Sequence, residues 1–227
     1  MSTTTIAAPS VINDIIFHSV IERQLILDIA SGAKPFPAAG KNSILLYGDY
    51  GTGKTTLARL LPDAIERGKG ASELMIYDYF RCQQSLTGPM LMKDIEDRAT
   101  LMSGNHSGYH YFVLDEVDNL TPKAQASLKS AMGFHDTIFV LTTNHLGQID
   151  KGVQNRSIRV NCDAARASDY LPLAKQVLAE CGATPISDDK LLPIIERCKG
   201  SVREIVDYME RIAAMQKTRP ESVSTAT

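Results

Sequence analysis

A chain of 227 residues is long enough for one compact domain and a small satellite, and too short for a large multidomain machine. Hydrophobic residues make up 44% and charged residues 22%, which excludes a disordered or fibrous protein and supplies a sizeable core. The 24 Lys and Arg against 26 Asp and Glu leave a net charge of −2, so no broad basic field advertises nucleic acid and no acidic one a cationic partner.

In chain order, Ser10 caps an expected leading helix whose apolar positions, from Val11 and Ile12 to Leu25 and Ile29, recur at helical spacing up to Ser31-Gly32. A rigid turn through Pro35 and Pro37 follows, then a short apolar run, Ser43 to Tyr47, that reads as a buried strand. Strand and helix then alternate. Strands are expected near Glu73 to Tyr79, Tyr109 to Leu114, Thr137 to Thr142 and Ser157 to Asn161, and helices near Lys54 to Glu66, Gly88 to Met102 and Pro122 to Met132. That alternation predicts an α/β fold, a five-stranded parallel sheet flanked by helices. Beyond Asn161 only helical stretches remain, near Ala164 to Glu180, Asp188 to Lys199 and Val202 to Gln216, with interspersed charges that predict solvated faces. The expected organisation is a flexible segment 1–10, a core 11–162, a small C-terminal helical lid 163–217 and a flexible tail 218–227.

The first basic residue is Arg23, and no run approaches the roughly 18 apolar residues of a membrane helix. A cytoplasmic protein without membrane association is therefore expected. Cys82, Cys162, Cys181 and Cys198 are widely spaced and read as buried thiols rather than disulfides or zinc ligands.

Residues 48–55 match the pattern G-x-x-x-x-G-K-[ST] between a strand and a helix. Glycines there let consecutive N–H groups converge on phosphate oxygens at the positive end of a helix. Gly48, Gly51, Thr52, Gly53, Lys54, Thr55 and Thr56 are the expected nucleotide-binding residues, with Lys54 on the β and γ phosphates and Thr55 on Mg²⁺. The strand near Tyr111 to Leu114 runs into Asp115 and Glu116, where a parallel sheet places its ligand groups. Asp115 is the expected second Mg²⁺ residue, and Glu116 the carboxylate that polarises the attacking water. Asp118 reads as a helix-start acid. Asn144, at the end of the next strand, lies where an amide fixes that water.

Arg156 precedes the fifth strand, and Arg203 follows Gly200-Ser-Val near the start of the last helix. Together these features resemble the AAA+ ATPases. Residues 114–129, beginning Leu-Asp-Glu-Val-Asp-Asn-Leu-Thr-Pro-Lys, and the stretch Lys199 to Arg203 are similar to clamp-loader (replication factor C-like) small subunits, here without the collar domain. The resemblance implies that Asn144 is the sensor 1 residue, Arg156 an arginine finger acting on a neighbouring subunit's ATP, and Arg203 sensor 2 on the lid. It also places Ile15 and Ile16, in Asp14-Ile-Ile-Phe, beside the adenine. Asp49 and Tyr50 stand where the family usually has prolines, and Pro62 is expected to interrupt the helix after the glycine loop.

No N-K-x-D guanine motif follows the loop, so ATP is the expected nucleotide, with Mg²⁺. The implied function is an oligomeric, homo- or hetero-, ATPase that drives conformational change in a clamp-loader-like motor on DNA or a DNA-bound protein. Two alternatives stay open: a ring translocase gripping DNA or protein through Tyr79 and Phe80 on a pore loop, and an ATP-switched scaffold. Tyr79 and Phe80 equally suit packing within the second strand, and Lys93, Arg98, Lys123 and Lys129 suit either DNA phosphates or solvated helix faces.

Overall fold

The computed structural model describes residues 9–72, 75–83, 85 and 88–218, which fall into two compact units, residues 9–163 and 164–218. In the first unit the strands are β1 (Ser43–Tyr47), β2 (Tyr77–Arg81), β3 (His110–Asp115), β4 (Thr137–Thr143) and β5 (Ser157–Asn161). All pair in parallel in the order β2-β3-β4-β1-β5. Their carboxyl ends therefore share one edge of the sheet.

Successive strand residues point to opposite faces, and each face has its own helical layer. Ile44, Leu46, Tyr111, Val113, Ile138 and Val140 pack against α1 (Val20–Ala30) and α2 (Lys54–Gly68). Leu45, Phe112, Leu114, Phe139 and Leu141 pack against α3 (Gly88–Ala99), α4 (Pro122–Ala131) and α5 (Lys151–Asn155). The central strands are apolar on both sides, as a parallel sheet covered by helices requires.

Three expectations are corrected. The leading helix starts at Val20, not near Val11. Ser19 Oγ accepts from the Ile21 amide at 3.1 Å as its N-cap, while Asp14 accepts from the Ser10 and Val11 amides at 3.0 and 3.2 Å and closes a separate 3₁₀ turn, Ile12–Asp14. Those amide donors hold the Asp14 carboxyl below its ordinary value. The second strand runs two residues past Tyr79, to Arg81, and Glu73 and Leu74 lie outside the described residues. The helix after the glycine loop continues through Pro62. The missing N–H forfeits one bond, and the buried face of Leu57, Leu61 and Ile65 offsets that loss.

The extended β2 removes the basis of the pore-loop alternative. Phe80 lies 6.5 Å from the Phe112 ring, packed on the core of its face, and Tyr79 is half-buried on the other. Both aromatics belong to the sheet.

The second unit comprises α6 (Leu171–Glu180), α7 (Asp188–Arg197) and α8 (Val202–Thr218) around a core of Tyr170, Val177, Leu191, Ile195, Ile205 and Met209. Its ion pairs, such as Lys175 with Asp188 at 2.6 Å, are solvent-facing and each worth at most about 1 kcal/mol. Gly200 turns the chain at φ 77° between α7 and α8, where a Cβ would collide with the Ala164 side chain at 2.2 Å. All four cysteines are free and buried. Among the described residues no helix is long and apolar enough to cross a membrane. The expected flexible ends, 1–10 and 218–227, fall largely on residues outside those described.

Candidate active site

β1 ends in a loop whose glycines take conformations closed to most side chains: φ is 143° at Gly48, 78° at Gly51 and 93° at Gly53. A Cβ on Gly48 would meet the Asp163 amide nitrogen at 2.6 Å, so the loop is pressed against the end of β5. Thr52 Oγ1 donates to the Asp49 carbonyl at 3.0 Å and closes the loop on itself. Lys54, the first residue of α2, folds back to donate to the Gly48 carbonyl at 2.8 Å and to that of Asp49. Burial pushes its ammonium below the usual lysine range, against the opposing pull of Asp49, Asp118 and Asp163. A buried cation at a helix N-terminus behind a glycine-rich loop is suited to receive phosphate.

One residue further, Thr55 Oγ1 donates to Asp115 Oδ1 at 2.8 Å. Asp115 is buried and accepts two more hydroxyls: Thr142 Oγ1 on Oδ1 at 2.6 Å, and the Tyr79 phenol on Oδ2 at 2.7 Å. A hydroxyl and a carboxylate in contact are the hard oxygen donors Mg²⁺ takes alongside nucleotide phosphates. The pair therefore fits the cation that the glycine loop's nucleotide would bring. Among the described residues no three His, Cys, Asp or Glu side chains cluster as a ligand set.

Glu116 has left-handed backbone angles, φ 59° and ψ 51°, and its amide donates to Thr142 Oγ1 at 2.9 Å. Such a conformation in a non-glycine residue costs of order 1–3 kcal/mol, and it turns the chain out of β3 beside Asp115. The half-exposed carboxylate lies 3.6 Å from Arg81 Nε and accepts from Asn119 Nδ2 at 3.3 Å. Asp118 begins no α-helix. It sits in the 3₁₀ turn Val117–Asn119, with Oδ1 buried and without a hydrogen-bond partner.

Asn144 follows β4 directly, and because Thr143 pairs with Tyr47, it leaves the sheet level with Gly48. Tyr50 bridges the two loops, its hydroxyl 3.0 Å from His145 Nε2. Ile15 and Ile16 are half-buried, Ile15 against the core shared with α2. Arg156 lies elsewhere. It precedes Ser157, which pairs with Ser43 at the start of β1, so it sits at the amino edge of the sheet, roughly 16 Å along the strands from the glycine loop. Arg203 is the exposed second residue of α8, in the other unit.

Lys54, Thr55, Asp115, Glu116 and Asn144 thus gather at one edge. Sequence reasoning missed Thr142, Arg81 and the Tyr79 hydroxyl contact. Tyr79 and Arg81 carry the one available signal, since two polar-tipped residues spaced by two share a strand face.

The profile of the ATPase family associated with various cellular activities (AAA) matches residues 44–162. The chain is 25% identical over 217 residues to replication factor C small subunit 2 of Pyrobaculum islandicum, covering 91% of this chain and 63% of that protein. It is 25% identical over 183 residues to the replication factor C small subunit of Thermoplasma acidophilum, covering 79% of this chain and 56% of that one. The chain thus spans less than two thirds of these relatives. Among solved structures, the RuvB Holliday junction branch migration motor of Thermotoga maritima superposes with a TM-score of 0.66 at 20% identity over 92% of this chain and 66% of the other. At that identity the likeness is one of fold.

Proposed function

Because the chain belongs to the AAA family of ATPases, whose profile covers more than half of it, we propose that it binds Mg·ATP at the glycine loop and hydrolyses it as part of an oligomer. The observation that carries this reading is the Thr55–Asp115 contact next to the buried Lys54 ammonium. Thr55 and Asp115 would hold Mg²⁺, which would neutralise charge on the bound nucleotide's phosphates.

The chain's own groups do the rest. The glycine-loop N–H groups and Lys54 hold and orient the triphosphate. Glu116, released from Arg81 and Asn119, takes a proton from the attacking water, and the Asn144 amide holds that water in line. Ile15 and Ile16 offer an apolar wall to the adenine. Arg156 is too far along the sheet to serve its own nucleotide, which favours service to a neighbour's: a guanidinium supplied in trans, stabilising charge on the transferred phosphoryl group. Arg203, on the helical lid, senses the γ-phosphate.

The similarity to replication factor C small subunits favours a clamp-loader-like role on DNA or a DNA-bound protein over the scaffold alternative. Of the helix cations considered for phosphate contact, Arg98 pairs with Asp78 and Lys129 with Asp150 at 3.7 Å, which leaves Lys93 and Lys123. Measuring ATP turnover with single-stranded, primed and duplex DNA tests this reading. Stimulation by primed DNA is expected; turnover indifferent to every DNA, with function intact in Glu116→Gln, would favour the scaffold.

A further inference from the structure

We propose that Tyr79 is a positioning residue for metal binding: its phenol holds the Asp115 carboxylate so that Oδ1 faces Thr55. The proposal rests on the Mg·ATP reading above and names a residue which that reading leaves without a role.

The geometry divides the carboxylate's two oxygens. Oδ1 takes the hydroxyls of Thr55 and Thr142, whereas Oδ2 takes only Tyr79, at 2.7 Å. Once Thr55 gives its oxygen to a cation, Tyr79 and Thr142 are the hydroxyls left to fix the group. Among the described residues Tyr79 is then the hydroxyl that anchors Oδ2, and it sets the rotation that aims Oδ1. A carboxylate free to swing would lose part of the affinity that a preorganised one provides.

The phenol is itself held. Register pairing of Tyr79 with Val113 puts its ring on the α2 face of the sheet. There the Arg59 guanidinium covers it, 4.2 Å from the ring centroid. Arg59 stands one helical turn after Thr55 on α2, and residues four apart share a helix face. The same helix thus reaches Asp115 twice, directly through Thr55 and indirectly through Arg59 and Tyr79. Burial, with Asp115 alongside, raises the phenol above its ordinary value.

Tyr79→Phe is the informative variant, because it keeps the ring, its core packing and the Arg59 stacking while removing the hydroxyl and its hydrogen bonds to Asp115 and Arg59. Mn²⁺ as a paramagnetic probe reports metal uptake without turnover. Wild type and Tyr79→Phe, each saturated with a non-hydrolysable ATP analogue, are titrated with Mn²⁺ by electron paramagnetic resonance. Affinity for the analogue is measured separately in EDTA. The expected result is unchanged metal-free nucleotide affinity with Mn²⁺ affinity reduced about 10-fold. Equal Mn²⁺ affinities in the two proteins, with clear uptake by wild type, would overturn the role of Tyr79 alone. Failure of wild type to bind the analogue, or to take up Mn²⁺ with it, would overturn the Mg·ATP reading as well. An equal loss of nucleotide affinity in EDTA would mark Tyr79 as a general structural support rather than a metal-positioning group.

Discussion

The Thr55 hydroxyl donates to Asp115 Oδ1 at 2.8 Å, joining the first turn of α2 to the end of β3 across the intervening strand β4. Two groups 60 residues apart in the chain are in contact because the parallel sheet brings all its carboxyl ends to one edge. Lys54, the Thr55–Asp115 pair and Glu116 therefore lie at the same edge of the sheet.

Lys54 gives the site a pH signature. Its folded-state pKa is lowered by burial, so between that value and the ordinary lysine value of about 10.4 the unfolded chain binds more protons, and folding stability rises with pH across that window. Phosphate favours the charged ammonium. ATP binding within that window is therefore expected to take up protons, and the uptake fades at pH values below it. Calorimetry in buffers of different ionisation enthalpy measures it; heats independent of buffer throughout that range would contradict the buried-cation account.

Gly48→Ala places a methyl group 2.6 Å from the Asp163 amide nitrogen in a backbone conformation, φ 143°, that side chains rarely adopt. A loss of about 1–3 kcal/mol is expected, read as a lowered unfolding midpoint. Gly147→Ala is the comparison. A Cβ there meets nothing within 4 Å, and a change within about 0.5 kcal/mol is expected. Equal midpoints for the two variants would refute the close approach of the glycine loop to β5.

Arg203 follows Gly200, whose φ of 77° turns the chain between α7 and α8. If the lid carries this cation to the γ-phosphate, Arg203→Ala weakens ATP binding more than ADP binding. Isothermal titration with both nucleotides decides the matter, and identical losses for the two would remove Arg203 from γ-phosphate sensing.

Arg156 sits at the far end of the sheet from Lys54, so its contribution depends on assembly. An arginine in trans is worth about 10³–10⁵ in rate, and specific activity should rise with protein concentration. Mixing Arg156→Ala, which keeps its nucleotide pocket, with Lys54→Ala, which keeps its arginine, should recover part of the activity each lacks. Turnover independent of concentration, with an inactive mixture of co-assembled variants, would show that Arg156 does not act across an interface.

The glycine loop, the Asp115-Glu116 strand end and the alternation of strands and helices were legible because each is a local pattern of fixed spacing. The start of α1 was not. Ile12 and Ile15 fit the helical period that continues into Leu25 and Ile29, yet they pack as a turn and an extended link, since Ser19 outcompetes Ser10 as the cap. Pro62 read as an interruption because propensity is local, whereas the burial that carries α2 through it is tertiary. Thr142 and Tyr79 were invisible as partners of Asp115 because strand register decides both contacts, and register is set by the assembled sheet.

The most direct test of the central claim is single-site turnover in Glu116→Gln. The glutamine keeps the size of the side chain and leaves Lys54, Thr55 and Asp115 in place, so ATP binding should persist while hydrolysis falls by roughly 10² or more. Radiolabelled ATP hydrolysis measured beside equilibrium nucleotide binding reads both quantities on one preparation. Undiminished hydrolysis in Glu116→Gln would contradict the assignment of this strand end as the catalytic centre.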